Sequence, residues 1–210
     1  MNAASRSACW RASLTLFSTS AWEMVPSRPA LRAASWAASD SPRPGDPAYE
    51  EALCLGRLLA LEGHTVLTGG YMGTMEAVSR GAVEAGGHAI GVTCQEIENW
   101  RKTRANPWVR EEWHTQTLYE RIDRIIEGSD AALALNGGPG TLTEISLMWN
   151  RMTIQATRLR PLILIGPAWK KTFETLFNSL DSFVAIRDRD FLSFAQDVEH
   201  AVHMLTKPGI

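Results

Sequence analysis

Apolar and polar positions along this chain follow two alternating periods. In DPAYEEALCLGRLLALEGH, residues 46–64, Ala52, Leu55, Leu58 and Leu59 recur at helical spacing. Asp46 suits the cap of that helix, Pro47 its first turn and Gly63 its end. TVLTGG, from Thr65, is a short apolar run ending in glycine and reads as a strand. TMEAVSRGAVEAGG is a second helix closed by glycines, and HAIGVT a second strand. Residues 94–116 form a polar, tryptophan-bearing connection. TLYERIDRIIEGSD then reads as a helix, AALALN as a strand and TLTEISLMWNRMTIQ as a helix. RPLILIG is a strand, AWKKTFETLFNSL a helix, FVAIRD a last strand and SFAQDVEHAVHMLTK the closing helix.

Strands alternating with helices of this length require right-handed crossovers and a parallel sheet. The strands are short and apolar throughout, as strands buried on both faces are. The expected fold class is α/β, a doubly wound, Rossmann-like parallel sheet with helices on both faces. A single domain is expected over residues 39–207. Residues 1–38 read differently: Arg6, Arg11, Arg28 and Arg32 lie among many Ser and Ala, with Glu23 as their one acid. That is the composition of a transit peptide, of a disordered extension, or of a start placed too early; the extension is the expectation carried forward.

Composition narrows the function classes. The 210 residues are 45% hydrophobic and 21% charged, normal for a globular protein. A net charge of -2 gives no reason to expect nucleic acid as a partner. Cys9, Cys54 and Cys94 are far apart and odd in number, which fits a reducing, cytoplasmic setting. No apolar stretch has membrane-crossing length. His64, His88, His114, His200 and His203 form no ligand spacing, so no metal is expected.

In a doubly wound sheet, ligands sit beyond the carboxyl ends of the strands. Two of those ends are glycine-rich. One is TGGYMGTMEAVSRGA from Thr68, offering Gly69, Gly70, Gly73, Thr74 and Glu76; the other is NGGPGTLTE, with Gly137, Gly138, Gly140 and Thr141. Glycine lets backbone approach a ligand closely, and a helix start behind it favours an anion. Neither loop spells a Walker A or G-x-G-x-x-G motif. Glu144 has two readings. Thr141-Leu142-Thr143-Glu144 matches a capping box, in which the carboxylate only bonds back to the Thr141 N–H. It also faces the space above the sheet, where it can do chemistry. Arg121 reads as a solvated helix arginine near Glu120 and Asp123, with Glu120 and Arg124 as an i,i+4 pair.

Asn136–Glu144 closely resembles the P-G-G-x-G-T-x-x-E signature of the Lonely Guy family, the cytokinin riboside 5′-monophosphate phosphoribohydrolases. TGGYMGTMEAVSRGAVEAGGHAIGV resembles that family's other glycine loop. YERIDRIIEGSDAALAL resembles the segment carrying its essential arginine, nine residues before an aspartate, which picks out Arg121 and Asp130. The similarity spans about Ser39 to Gly166. Asn136 replaces the family's proline, and Tyr119 stands where many members have histidine. The first strand should end in a small Gly-Ser loop. Here RAASWAASDSPRPGD places Ala37 and Ala38 where larger apolar residues or glycine belong. That strand is expected to be poorly formed, or residues 1–38 to lie outside the natural product.

The resemblance implies hydrolysis of the N-glycosidic bond of AMP or an N6-prenylated AMP, giving free base and ribose 5-phosphate. Glu144 would stabilise the cationic sugar or orient the water, and Arg121 would hold phosphate or ribose. The loop backbones would hold the phosphate, with no cofactor and a homodimer as the assembly. The alternative is a non-catalytic nucleotide- or molybdenum-cofactor carrier of similar fold. A single-stranded DNA-binding protein of the DNA-processing type shares the wider fold, but the charge opposes it. The lysine decarboxylase label often given to this family finds no support. Lys102, the one lysine between the two loops, lies in a polar connection.

Overall fold

Seven strands form one sheet in the order β4-β3-β2-β1-β5-β6-β7, every neighbouring pair parallel. The computed structural model of the chain describes residues 30–36 and 42–206. In chain order the elements are β1 (Arg32–Trp36), α1 (Pro47–Leu61), β2 (Thr65–Thr68), α2 (Thr74–Glu84), β3 (Ala89–Cys94), α3 (Gln95–Arg101) and β4 (Glu111–Thr115). There follow α4 (Leu118–Gly128), β5 (Ala131–Ala134), α5 (Pro139–Thr153), β6 (Leu162–Ile165), α6 (Pro167–Ser179), α7 (Ile186–Arg189), β7 (Ser193–Ala195) and α8 (Val198–Thr206). Among the described residues no helix is long and apolar enough to cross a membrane.

Apolar periodicity decides which face each helix covers. On one face Ile122, Ile125, Ile145, Met148, Trp169 and Phe173 of α4, α5 and α6 close over Leu67, Val92, Ala134 and Leu164. On the other, α1 packs against α2 and α8. Strands β5 and β6 are buried at every position, so their uniform apolar sequences, AALA and LILI, suit both faces. The doubly wound architecture read from the sequence is the one observed.

The expected domain start at residue 39 is corrected. Arg32–Trp36, inside the segment taken for an extension, is the central strand of the sheet. It pairs with β2 through Ala33↔Val66 and with β5 through Ala34↔Ala132. The compact unit therefore begins at Leu31. Alanine has little intrinsic strand preference. Here Ala33 and Ala34 are fully buried, so flanking strands and helices impose what propensity does not. The loop after this strand, including Ala37 and Ala38, lies outside the described residues, as does the segment before Ala30.

Two other assignments change. Residues 94–116 hold helix α3 and edge strand β4, whose polar sequence EEWHT suits a strand with one open side. Residues 183–188 are not the last strand: Ile186–Arg189 is a helical turn, and Ser193–Ala195 pairs with β6 instead. The closing helix starts at Val198.

Candidate functional site

The strand order reverses direction at β1, where chain-order neighbours run outward to β4 on one side and to β7 on the other. In doubly wound sheets such a switch point is where a ligand crevice opens, at the carboxyl ends of the strands. The glycine loop 69–73 follows β2, and loop 135–138 follows β5, the two strands flanking β1.

The first loop is held from several directions. Gly70 and Gly73 have φ of 78° and 71°, in the left-handed region that favours glycine. The Thr68 hydroxyl accepts from the Gly70 N–H at 3.1 Å and lies 3.1 Å from the Ser79 hydroxyl. Tyr71 is buried, and its hydroxyl donates to the Cys94 carbonyl at 3.1 Å and accepts from the Cys94 N–H at 2.7 Å. Gly73 caps α2, and Thr74, its first residue, is buried. Glu76 turns to α1, where its carboxylate accepts from the Tyr49 hydroxyl at 3.3 Å.

Arg121 is not a solvated helix arginine; only 6% of it is exposed. Its Nε donates to the Val92 carbonyl at 2.7 Å and its Nη2 to the Gly69 carbonyl at 2.9 Å. Its guanidinium lies 5.5 Å from the centre of the Tyr71 ring, within cation–π range. The sequence held a signal for this. Arg121 shares a helix face with Ile122, Ile125 and Ile126, the buried stripe of α4. Nor does Glu120 pair with Arg124: it completes a capping box with Thr117, while Arg124 lies over the Trp113 ring.

The capping-box reading of Glu144 is also overturned. Helix α5 starts at Pro139 with Gly138 as its cap, so Thr141 lies inside the first turn. Glu144 is 5% exposed, in the stripe with Thr141, Ile145, Met148 and Met152. Burial pushes its carboxyl up to about 7, against the downward pull of the Arg121 charge. Among the predicted residues, then, Arg121 is hydrogen-bonded to Gly69 and its charge acts on Glu144. Gly137, Gly138 and Gly140 form an exposed rim. Gly137 sits against Thr141: a Cβ there would come within 2.2 Å of the threonine hydroxyl oxygen.

Asn106 is a residue the sequence reading missed. It is buried and binds loop 69–73 from the 94–116 segment. The signal was Asn-Pro, a pair that favours turns with local side-chain bonding. Glu98, Glu112 and His114 are also brought together, each offering one ligand atom within 4.8 Å of the others, a set that could hold a divalent ion. The Thr93 hydroxyl already bridges two of them, donating to Glu112 at 2.5 Å and lying 3.0 Å from His114 Nδ1.

A doubly wound sheet with paired glycine loops at its switch point, backed by a buried arginine and carboxyl, defines a class of Rossmann-like proteins. The chain belongs to the SLOG cluster4 family, whose model matches residues 38–175, and the Lonely Guy resemblance is upheld by its relatives. It is 30% identical over 162 residues to a rice protein named "Probable cytokinin riboside 5′-monophosphate phosphoribohydrolase", covering 74% of this chain and 69% of that one. It is 30% identical over 119 residues to the cytokinin riboside 5′-monophosphate phosphoribohydrolase of Mycobacterium tuberculosis, covering 56% and 62%. Among solved structures, the molybdenum cofactor binding protein of Rippkaea orientalis superposes with a TM-score of 0.65 at 24% identity, over 84% of this chain and 95% of that one. The single-stranded DNA-binding DNA processing protein A of Helicobacter pylori gives 0.53 at 14% identity, over 83% and 80%. At these identities the structural likenesses establish the fold alone.

Proposed function

We propose that this protein hydrolyses the N-glycosidic bond of a purine nucleoside 5′-monophosphate, AMP or an N6-prenylated AMP. The observation that carries the reading is Glu144, a buried carboxyl titrating near neutrality beside Arg121 at the switch point. In hydrolysis the C1′–N bond breaks as water adds at C1′. The sugar passes through an oxocarbenium-like state, as in glycoside hydrolysis. Ionised Glu144 stabilises that cation and takes the proton of the attacking water. The base leaves with the bonding electrons and takes a proton from solvent. Arg121 stays charged and cannot act as a base. Its bonds to the Gly69 and Val92 carbonyls hold the first loop in place, and its charge orients the phosphate end of the substrate. The N–H groups of Tyr71 and Met72 and those of Gly137, Gly138, Gly140 and Thr141 hold the phosphate.

A homodimer belongs to this reading. Trp100 and Tyr119, 76% and 69% exposed, offer large aromatic surface for a second chain. The second functional reading is a carrier. The Rippkaea orientalis neighbour of the same fold is named as a molybdenum cofactor binding protein, and anion-binding loops of this kind would hold a phosphate-bearing ligand without bond cleavage.

Incubation with AMP and with N6-isopentenyl-AMP, followed by chromatography of the free base, tests the enzyme reading. Release of adenine or its prenylated form supports it. Binding by calorimetry without release of base replaces it with the carrier.

A further inference from the structure

A loop cradles an anion with its N–H groups only if its carbonyls are turned away. We propose that Asn106 is the positioning residue that turns them, setting the phosphate-binding geometry of loop 69–73. This rests on the reading of that loop as the phosphate site.

Asn106 comes from the segment between α3 and β4, and it is 6% exposed. Its Nδ2 donates to two consecutive loop carbonyls, Gly70 and Tyr71, each at 3.0 Å. Its backbone N–H donates to the Gly70 carbonyl at 2.8 Å. Its Oδ1 accepts from the Trp108 N–H at 3.0 Å. These partners fix the amide's orientation, because Nδ2 must face the carbonyls and Oδ1 the N–H.

In a trans peptide, C=O and N–H point in opposite directions. With the Gly70 and Tyr71 carbonyls drawn to Asn106, the N–H groups of Tyr71 and Met72 point to the other side of the loop. The loop cannot swing to compensate. A Cβ at Gly70 would come within 2.9 Å of Thr93 Cγ2, so the backbone is pressed against β3. Arg121 holds the Gly69 carbonyl, and the Tyr71 ring is tied to Cys94. Asn106 is thus the side chain that orients the two central peptides, and the start of α2 lies directly behind them. The ligand this geometry selects is a phosphate monoester.

Calorimetric titration of wild type, Asn106→Ala and Asn106→Asp with AMP, ribose 5-phosphate and adenosine tests the assignment. Both variants are expected to bind AMP and ribose 5-phosphate roughly 10- to 100-fold more weakly and adenosine within about threefold of wild type. In turnover, KM for AMP should rise more than kcat falls. Unchanged AMP affinity, or an equal loss for AMP and adenosine, overturns the proposal. Should the variants not fold, amide NMR of wild type decides: ribose 5-phosphate must shift the Tyr71 and Met72 N–H signals, and unmoved signals overturn it. Binding of phosphate esters without release of base removes the enzymatic reading and leaves this one standing. A wild type that binds no phosphate ester removes both.

Discussion

The guanidinium of Arg121 occupies the space that a side chain at position 69 would need. A Cβ built on Gly69 comes within 1.9 Å of Arg121 Nη2 and 2.5 Å of the Met75 sulfur. The same Nη2 donates to the Gly69 carbonyl at 2.9 Å. Loop and arginine are therefore one unit, assembled from residues 52 positions apart.

Gly69→Ala is expected to displace this unit. Overpacking of a buried site costs roughly 1–3 kcal/mol, so urea denaturation should show a loss in that range. Arg121→Ala clears the space but frees two buried carbonyls, so it destabilises on its own. The double variant should lose less than the two losses added, and strict additivity in a double-mutant cycle would contradict the steric coupling.

Glu144→Gln should separate chemistry from stability. On the proposed mechanism kcat falls by roughly 10²- to 10⁴-fold, with KM shifting far less. In wild type, kcat should rise with pH through about 7 as the carboxyl ionises. The native carboxyl is raised from an ordinary value of 4.5. Between those two values the folded protein binds more protons than the unfolded, so wild-type stability falls as pH rises through that window and is flat above it. The glutamine variant lacks this penalty. It should exceed wild type by up to about 3 kcal/mol at pH 8 and match it most closely below pH 4.5. Melting temperatures of both proteins at pH 4.5 and pH 8 test the difference. An equal offset at the two pH values would mean that Glu144 does not titrate as its burial requires.

Deletions at the N-terminus should split sharply. Removing residues 1–38 takes out β1 and breaks the pairings on both sides of it, so the product is expected to be insoluble or unfolded. Removing residues 1–29 stops short of that strand and is expected to leave the melting temperature within a few degrees. A soluble, cooperatively folded 1–38 deletion would show that another segment can fill the centre of the sheet.

Thr117→Ala should cost about 1 kcal/mol by removing the capping box of α4. Because that helix carries Arg121, the loss should appear in stability, with kcat and KM nearly unchanged at 25 °C. A drop in kcat to the level of Arg121→Ala would mean that the cap, and not the packing of the isoleucine stripe, sets the arginine's position.

The sequence by itself determined the alternation of elements, the parallel sheet and the two glycine loops. Those features are local: apolar runs of strand length, helical stripes and glycines at strand ends are written in neighbouring residues. It also marked Arg121 and Glu144, through family resemblance. Tertiary structure alone decided the rest. RAASW becomes the central strand because two neighbouring strands pair with it, although its alanines carry little strand preference of their own. Glu144 leaves the capping role because α5 begins at Pro139, and burial then raises its proton affinity. Asn106 gains its place only when the chain folds back across 35 positions to the Tyr71 carbonyl. Such long-range hydrogen bonds depend on where the backbone ends up in space, and no local pattern encodes them.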